Sequence, residues 1–264
     1  MKIVVCIKQV PDTATRIKIK QGSSSIETEG VQYVVNPYDE YAVEEALRIK
    51  ERIGDSEITI LSMGPDRTKE AIKTCLAMGA DKAIHLIDDR FEGSDSYATS
   101  LILAKGLRDI GYDLILCGKQ GVDDDAAQVG PSIAEMLNIP HVSVITRLDL
   151  YDDNKKVIIH REVEYGTEVI ETTLPALLTC QKGLNEPRLP SLKGIMSAKK
   201  KEIRKVNSDA LGLSHKEIGL QGSKTKVIAL SLPPQRKGGR IIKGEPQEGV
   251  KELVRLLREE AKVI

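Results

Sequence analysis

Residues 118–131, GKQGVDDDAAQVGP, combine glycines and small residues with three consecutive acids, a composition suited to a nucleotide-binding loop. The segment follows the strand-like run DLILC and precedes SIAEMLNI, which has the pattern of a helix. Glycine lets a backbone approach a phosphate closely, and the N–H groups at a helix start bind anions. Three carboxylates would repel a phosphate, so they should face a ribose, the loop amides or the helix start. The alternative is an acidic helix-capping turn that binds no ligand.

Three other segments follow predicted strands and could share this site. They are Cys6 to Pro11, Asn36 to Asp39, and Met63 to Pro65. In an open parallel sheet, ligands bind beyond the carboxyl ends of the strands, near the point where the strand order reverses. We therefore expect all four segments to meet at one edge of a sheet.

The absence of catalytic motifs limits the chemistry that such a site could support. The sequence contains no GxxxxGK[ST], GxGxxG, GxSxG or HExxH pattern, and its four histidines are scattered. The three consecutive acids point in different directions, so a metal site is not favoured. We predict no catalytic residue and no metal. A nucleotide held without a catalytic base or metal would be a structural or redox cofactor.

The overall composition excludes several classes of protein. Of 264 residues, 39 are basic and 39 acidic, and aromatic residues are scarce, so neither nucleic-acid binding nor attraction to an anionic membrane is indicated. No 18-residue apolar run is present, and the N-terminus lacks the features of a signal peptide. The four cysteines lie far apart and read as small buried residues, which fits a cytoplasmic protein.

Strand-like and helical patterns alternate through the first half of the chain. KIVVCIK, EITILSM, KAIHLI and DLILCGK predict strands; helices are predicted from Pro37 to a stop at Gly54, before Gly79, after a cap at Ser94 or Asp95, and over SIAEMLNI. This alternation predicts an α/β fold with a doubly wound, mostly parallel, Rossmann-like sheet. HVSVITRLDL, KKVIIHREVEYG, TEVIETTL and ALLTCQ predict an antiparallel addition.

The periodic pattern fails after about residue 184. We predict a nucleotide-binding α/β domain over residues 1–186, a partner-recognition loop over 187–206 and an extended C-terminal arm over 207–264. The arm includes a strand-like KVIALSL and a final helix, EGVKELVRLLREEA. The loop places an apolar centre beside lysines, a pattern typical of docking to acidic partners. Its candidate contact residues are Leu192, Ile195, Met196, Lys199, Lys200 and Lys201.

Several of these segments together resemble the β subunit of electron transfer flavoproteins. The resemblance rests on CIKQVPD, VNPYDEYAVEEALRIKE, LAMGADKAIHL, GKQGVDDDAAQVGP, LNEPRLPSLKGIMSAKKK and PPQRKGG, in this order along the whole chain. It implies an electron-carrier subunit, rather than an enzyme by itself, that forms a heterodimer with an α subunit. It also implies one FAD held mainly by that α subunit, and a buried AMP with a structural role in the β subunit.

The resemblance further implies partners and contact residues. Electrons would come from flavin dehydrogenases such as acyl-CoA dehydrogenases and pass to a quinone oxidoreductase or a similar acceptor. Tyr38 corresponds to an aromatic residue near the α-bound flavin, Thr13 replaces a second one, and Leu192 corresponds to the leucine that anchors dehydrogenases. The implied nucleotide contacts are Cys6, Asn36, Pro37, Tyr38, Asp39, Met63, Gln120, Gly121, Val122, Asp123, Asp124, Asp125, Ala126, Ala127, Gln128, Val129, Gly130 and Pro131.

Two alternatives differ from this interpretation in cofactor or in class. Some members of the family bifurcate electrons, holding a second FAD in place of AMP with NADH as donor. AAQVGP and SDSYATS resemble those members, whereas Asp124 and Ala126 replace their usual glycine and threonine. The bulkier Asp124 favours AMP. The other alternative is a homodimeric, ATP-binding signalling module of the universal-stress type, but such a module has no need of the long C-terminal arm.

Overall fold

A computed structural model describes residues 1–20, 22, 24–151, 153–234 and 238–264. The chain divides into two compact units, Met1–Ile228 and Ala229–Ile264. The predicted domain end at about residue 186 lies inside the first unit. Gln235, Arg236 and Lys237, which belong to the PPQRKGG motif, lie outside the described residues.

Most strands of the first unit form a single mixed sheet. The strands are β1 (Lys2–Cys6), β2 (Gln9–Pro11), β3 (Tyr33–Val35), β4 (Glu57–Met63), β5 (Lys82–Leu86), β6 (Leu114–Gly118), β7 (His141–Tyr151), β8 (Lys156–Val163), β9 (Gly166–Thr173), β10 (Ala176–Cys180) and β11 (Ile203–Val206). Within the described residues, nine strands form the sheet in the order β11-β5-β4-β1-β6-β10-β7-β8-β9, while β2 and β3 pair separately. The pairings from β11 to β7 are all parallel.

Helices cover both faces of this sheet. The helices are α1 (Pro37–Ile53), α2 (Thr68–Met78), α3 (Ser96–Ile110), α4 (Val129–Leu137), α5 (Leu192–Ala198), α6 (Gly219–Gly222) and α7 (Pro246–Glu259). Ile3 and Val5 of β1 pack into the core beneath α1 and α2, whereas Val4 packs into the opposite core beneath α3 and α4. This alternation follows from the two-residue period of a strand, and each fully buried side chain contributes about 1.5–3 kcal/mol. The predicted doubly wound α/β sheet is confirmed.

Several local predictions are also confirmed. Pro37 occupies the start of α1, and Gly54 and Gly79 end α1 and α2. The carboxylate of Asp95 caps α3 by accepting the N–H of Ala98. The predicted antiparallel addition is smaller than expected. β10 lies between β6 and β7 and is parallel to both. Among the described strands of the large sheet, the antiparallel pairings are therefore β7 with β8 and β8 with β9. Residue patterns identified these strands but not the direction of their pairing.

The segment after residue 186 contains elements that the sequence did not predict. α5 packs on α2, and β11 extends the sheet beside β5. Leu211, Leu213 and Ile218 then pack into the core beneath α3. By contrast, residues 226–232, all of which are described, form no strand. KVIALSL has the composition of a strand, but a strand forms only where a partner edge is present.

The unit Ala229–Ile264 contains the predicted final helix, α7. None of the residues of α7 is buried, and Val250, Leu253 and Val254 expose 60%, 46% and 39% of their surface. These three positions lie on one face because they are separated by three and four residues. Among the described residues, no helix combines the length and apolarity needed to cross a bilayer.

Candidate functional site

The carboxyl ends of β1 and β6 meet at the point where the strand order reverses. From β1 the chain continues to β4 and β5 on one side of the sheet, and then returns through α3 to β6 on the other side. This is the position where open α/β sheets bind ligands. The segment GKQGVDDDAAQVGP begins at the last residue of β6 and ends inside α4.

Asn36 and Asp39, at the start of α1, join the segments that meet here. The side-chain N–H₂ of Asn36 donates to Asp39 Oδ1 and to the carbonyl of Gln120, both at 2.9 Å. Its Oδ1 accepts the backbone N–H of Val122 at 3.1 Å. Asp39 in turn accepts the backbone N–H of Lys8 at 2.6 Å. These hydrogen bonds therefore join the end of β1, the start of α1 and the acidic loop to one another.

Asp39 also contacts the end of β6, where only a glycine fits. The backbone N–H of Gly118 donates to Asp39 Oδ1 at 3.0 Å. A Cβ atom at Gly118 would lie 2.2 Å from the same oxygen and 2.7 Å from the backbone of Tyr38. Burial raises the pKa of Asp39 to about 7, against the lowering effect of the hydrogen bonds from Lys8, Asn36 and Gly118. The carboxylate thus has a structural role in the site.

The three acids of the loop are exposed, but each makes a hydrogen bond or ion pair with another residue of the chain. Lys8 Nζ donates to Asp123 Oδ1 at 2.7 Å and to Asp124 Oδ2 at 3.1 Å. Asp124 Oδ1 accepts the N–H of Ala126, and Asp125 accepts from Gln120 Nε2 at 2.5 Å. Burial lowers the pKa of Lys8, but its interactions with Asp123 and Asp124 outweigh this effect, and the net pKa is raised. The carboxylates that would repel a phosphate are therefore partly neutralised.

The backbone of the loop has an unusual conformation. Asp125 and Ala127 adopt φ angles of 51° and 53°, in the left-handed region that non-glycine residues rarely occupy. Residues held in this region cluster at binding sites, and alternating right- and left-handed residues can form an anion-binding concavity of N–H groups. Gln128 precedes α4 and provides no side-chain cap. The first N–H groups of α4 are therefore available to an anion.

Gly130, in the first turn of α4, packs directly on β10. A Cβ atom there would lie 2.7 Å from Cγ2 of Thr179. Thr179 is buried, and its hydroxyl accepts the N–H of Val144 at 2.9 Å, so this side chain cannot rotate away freely. The small residue lets the start of α4 lie close to the carboxyl end of the sheet. Val129 is half-buried beside the core, and Pro131 follows within α4.

The remaining predicted contacts lie at the same edge of the sheet. Cys6 ends β1, where it is buried opposite Cys117, and Met63 ends β4, which is paired with β1. Pro37 and Tyr38 are half-buried, and the Lys119 ammonium lies 4.8 Å from the centre of the Tyr38 ring. The structure brings the segments around Cys6, Asn36–Asp39 and residues 120–131 together. It places Met63 at the same edge by strand register.

Lys8 is the site residue that sequence reasoning missed. It belongs to CIKQVPD, but it is 115 residues from Asp123 in the chain. Only the apposition of β1 and β6 brings this lysine to the acidic loop. A basic residue just beyond a first strand, followed later by an acidic loop after a neighbouring strand, is the signal that could have indicated the pair.

The predicted partner-recognition residues form a separate surface on α5. Leu192, Ile195 and Met196 expose 83%, 45% and 70% of their surface, and Lys199 and Lys200 are also exposed. Lys201 differs from these lysines, because its Nζ donates to the carbonyls of Leu76 and Ala80 at 3.0 and 2.6 Å. Exposed large apolar side chains grouped on one helix are typical of an interaction site.

The described residues contain no group of three or more His, Cys, Asp and Glu side chains that could hold a metal ion. All four cysteines are free and buried. The hydrogen bond with Cys6, together with burial, raises the pKa of the Cys117 thiol. A thiol in this state is a poor nucleophile.

Comparisons with known proteins agree with the resemblance found in the sequence. The sequence-family model of the electron transfer flavoprotein domain matches residues 24–211 of the chain. The chain is 45% identical to the electron transfer flavoprotein subunit beta of Thermoanaerobacterium thermosaccharolyticum, over 97% of this chain and 98% of that protein. It is 42% identical to the subunit beta of Bacillus subtilis, with both chains covered completely.

A third relative has a different name. The chain is 44% identical to subunit CarD of the caffeyl-CoA reductase–Etf complex of Acetobacterium woodii, over 92% of each chain. These matches favour the flavoprotein interpretation over a signalling module of the universal-stress type. From the matched domain and from identities above 40% over nearly the whole length, the chain belongs to the electron transfer flavoprotein family, among its β subunits.

Proposed function

We propose that this chain is the β subunit of a heterodimeric electron carrier that holds a structural AMP beside β1 and β6. The observation that carries the proposal is the state of the acidic loop. Lys8 pairs with Asp123 and Asp124 and offsets part of their charge, while the loop backbone and the start of α4 present N–H groups at the switch point. A site with these donors and no catalytic base suits an adenylate held as a structural cofactor.

The adenylate would use both the loop and its surroundings. The N–H groups of residues 127–130 suit the phosphate, since the N–H of Ala126 donates to Asp124 and the carboxylates nearby are paired with other groups. Cys6, Asn36–Asp39 and Met63 would line the rest of the site. Nucleotide binding would then stabilise the junction of β1, α1 and β6, which is a structural role.

The redox cofactor would be an FAD held mainly by the α subunit. When bound, this FAD would supply one- and two-electron transfer. Residues of this chain would contribute to its surroundings. Tyr38 is half-buried at the carboxyl edge of the sheet, and the charge of Lys119 lies over its ring. This cation–π contact would help to hold the Tyr38 ring at the edge of the site. Thr13 takes the place of a second aromatic residue.

Residues 226–264, which comprise the strand-like segment 226–232 and the rest of the second unit, would contact the α subunit. Val227 and Ile228 expose 58% and 90% of their surface, and α7 has an apolar face without buried residues. Apolar surface of this extent is typical of a segment that packs on another chain.

The four free cysteines are consistent with the cytoplasm.

The exposed face of α5 would dock the electron-donating dehydrogenase. We take acyl-CoA dehydrogenases as the donor class and a quinone oxidoreductase as the acceptor. Leu192 projects from the first position of α5 and is 83% exposed, the geometry of an apolar anchor, and Lys199 and Lys200 would steer an acidic partner.

Replacing Leu192 tests this function. In the purified heterodimer, Leu192→Ala should slow electron transfer from a reduced acyl-CoA dehydrogenase by about tenfold or more, the loss expected for an interface anchor. Flavin content should not change. Leu220→Ala is a matched control, because Leu220 is likewise an exposed leucine, with 70% of its surface accessible, but lies on α6. Equal transfer rates in wild type and Leu192→Ala would contradict the docking role of α5.

A bifurcating complex is the second candidate, in which a second FAD replaces AMP and NADH is the donor. The observation that favours it is the 44% identity to CarD of the caffeyl-CoA reductase–Etf complex. AAQVGP and SDSYATS point the same way. Against it, Asp124 has a side chain that reaches Lys8 and helps to close the loop. AMP therefore remains the first proposal.

A further inference from the structure

We propose that Lys201 is a positioning residue that fixes the docking helix α5 on the end of α2, and that it does not steer partners. This inference rests on the proposed docking function of α5 and adds the residue that orients it. It separates Lys201 from its neighbours Lys199 and Lys200, which share its charge but not its environment.

The contacts of Lys201 occupy its donors inside the protein. Its Nζ lies 3.0 Å from the carbonyl of Leu76 and 2.6 Å from that of Ala80. Leu76 belongs to the last turn of α2, whose final carbonyls have no partner within the helix. A cation is favoured at this end by the helix dipole. The ammonium therefore replaces the missing N–H donors of α2.

Two small residues place α5 on the same support. Gly194 lies so close to α2 that a Cβ atom would come within 2.1 Å of the carbonyl oxygen of Ala77. Ala198, one turn later, is 5% exposed and belongs to the main core. The N–H of Lys201 donates to the carbonyl of Ala198 at 3.2 Å and continues this turn. Gly194 and Ala198 are spaced by four residues, so they share one face of α5, and Lys201 follows in the turn beyond the end of the helix.

The opposite face of α5 presents the apolar residues. Leu192, Ile195 and Met196 are exposed because the small residues and Lys201 take up the side that faces α2. A helix of seven residues is too short to be stable on its own. Its orientation must therefore come from tertiary contacts, and Lys201 makes the polar ones at its end. Preorganisation of this kind raises affinity by lowering the entropy lost on binding.

The test compares Lys201→Met, Lys201→Arg and Lys200→Met in the full-length chain within the purified complex. The first readout is amide hydrogen exchange over residues 191–201. Exchange should become about tenfold faster in Lys201→Met, the effect of losing one charged hydrogen bond. Lys201→Arg should restore slow exchange because it retains donors, and Lys200→Met should match wild type.

The second readout is electron transfer from a reduced acyl-CoA dehydrogenase at several salt concentrations. Lys201→Met should raise the apparent KM about tenfold with kcat unchanged and with the salt dependence of the wild type. Lys200→Met should weaken the salt dependence. Wild-type exchange in Lys201→Met, or a loss of salt dependence in that variant, would overturn the proposal. If wild type accepts no electrons from the dehydrogenase, the docking function fails, while the exchange measurement still decides the role of Lys201.

Discussion

Lys8 explains how an acidic segment could belong to the proposed phosphate site. Its ammonium lies between Asp123 and Asp124, at 2.7 and 3.1 Å, and the remaining acid, Asp125, accepts from Gln120. The negative charge near the start of α4 is thereby reduced, and the loop is held in a single shape. Asn36 and Asp39 supply the buried part of the same network.

Replacing Lys8 should weaken AMP binding. In Lys8→Met, Asp123 and Asp124 lose their partner and would repel the phosphate. Because the pair is partly exposed, we expect about threefold to tenfold weaker binding, measured by calorimetric titration of AMP into the nucleotide-free complex. Lys73→Met is the control, since Lys73 pairs with Glu70 on an exposed face of α2.

A combined variant separates charge from structure at this position. Adding Asp123→Asn and Asp124→Asn to Lys8→Met removes the repulsion and should restore most of the affinity. If the triple variant binds AMP as weakly as Lys8→Met, the role assigned to Lys8 is wrong.

The stability of the fold should depend on pH through His85. His85 is fully buried on β5, where its Nε2–H donates to the carbonyl of Gly64 at 2.8 Å. Burial lowers its pKa, Lys205 and Lys69 lower it further, and the hydrogen bond to Gly64 and the charge of Asp66 act in the opposite direction. The unfolded chain binds a proton near pH 6.5, whereas the folded chain binds it at lower pH. The contribution of His85 to the free energy of unfolding should therefore fall as the pH drops below about 6.5. Asp39, whose pKa is raised to about 7, contributes in the opposite direction over the same range, so the effect of His85 is the difference between wild type and a His85 variant.

Urea unfolding at pH 7.5 and 5.5 measures this effect. His85→Gln keeps an N–H donor for Gly64 but does not titrate. Relative to its own value at pH 7.5, its free energy of unfolding at pH 5.5 should therefore be higher than that of wild type. His215→Gln, at an exposed histidine, should behave like wild type. The same pH dependence in wild type and His85→Gln would rule out His85 as the source.

At the scale of elements, the sequence predicted the periodic parts of the fold and missed those that depend on distant contacts. α1 was predictable because Ala42, Val43, Ala46, Leu47 and Ile49 form a continuous apolar stripe. α5 carries no such stripe, since Gly194 and Ala198 form its inner face and Lys201 contacts α2 from the turn that follows. β11 is only four residues long and is defined by its pairing with β5.

The candidate site was predictable to a similar extent. Glycines and acids after the predicted strand DLILC identified the segment 118–131, because parallel strands place their carboxyl ends at one edge. The segment 36–39 follows β3, which pairs with β2 outside the large sheet, and it reaches this edge through the hydrogen bonds of Asn36 and Asp39. The partner of the acids was not predictable, since Lys8 reaches them through the apposition of β1 and β6. KVIALSL is the opposite case. Its composition favours a strand, but no strand forms there, because composition cannot provide a partner edge.

The packing of α4 on β10 should depend on Gly130. A Cβ atom at this position would press on Cγ2 of Thr179, and overpacking of this kind costs about 1–3 kcal/mol. We therefore expect Gly130→Ala to lower the free energy of unfolding in urea. Gly249→Ala is the control, because its Cβ would meet Ile242 at an ordinary 3.8 Å.

Removing the opposing methyl group completes this test. Thr179→Ser lacks Cγ2 but keeps the hydroxyl that accepts from Val144. The double variant Gly130→Ala with Thr179→Ser should recover most of the lost stability. An unchanged stability in Gly130→Ala alone would show that the start of α4 is not closely packed.

At the scale of the whole molecule, the two compact units differ in how they satisfy their apolar surface. The unit Met1–Ile228 encloses two cores on opposite faces of its sheet. The unit Ala229–Ile264 has α7 with an exposed apolar face, formed by Val250, Leu253 and Val254. A helix of this kind gains most of its stability from packing, so a further chain is the natural partner.

Polar substitutions on α7 should reduce assembly with the α subunit. Changing Val250, Leu253 and Val254 to Gln keeps helix-compatible side chains but removes the apolar face. We expect a lower yield of heterodimer on co-purification, with the melting temperature of the β chain unchanged. Tyr165→Gln is the control, because Tyr165 is 93% exposed between β8 and β9. Wild-type assembly of the triple variant would contradict the role proposed for α7.

The nucleotide content of the intact heterodimer tests the central claim most directly. The purified complex is heated, and the released nucleotides are separated and quantified against protein. If the loop closed by Lys8, Asp123 and Asp124 binds an adenylate, the complex should release one FAD and one AMP per heterodimer. Two FAD and no AMP per heterodimer would contradict the account.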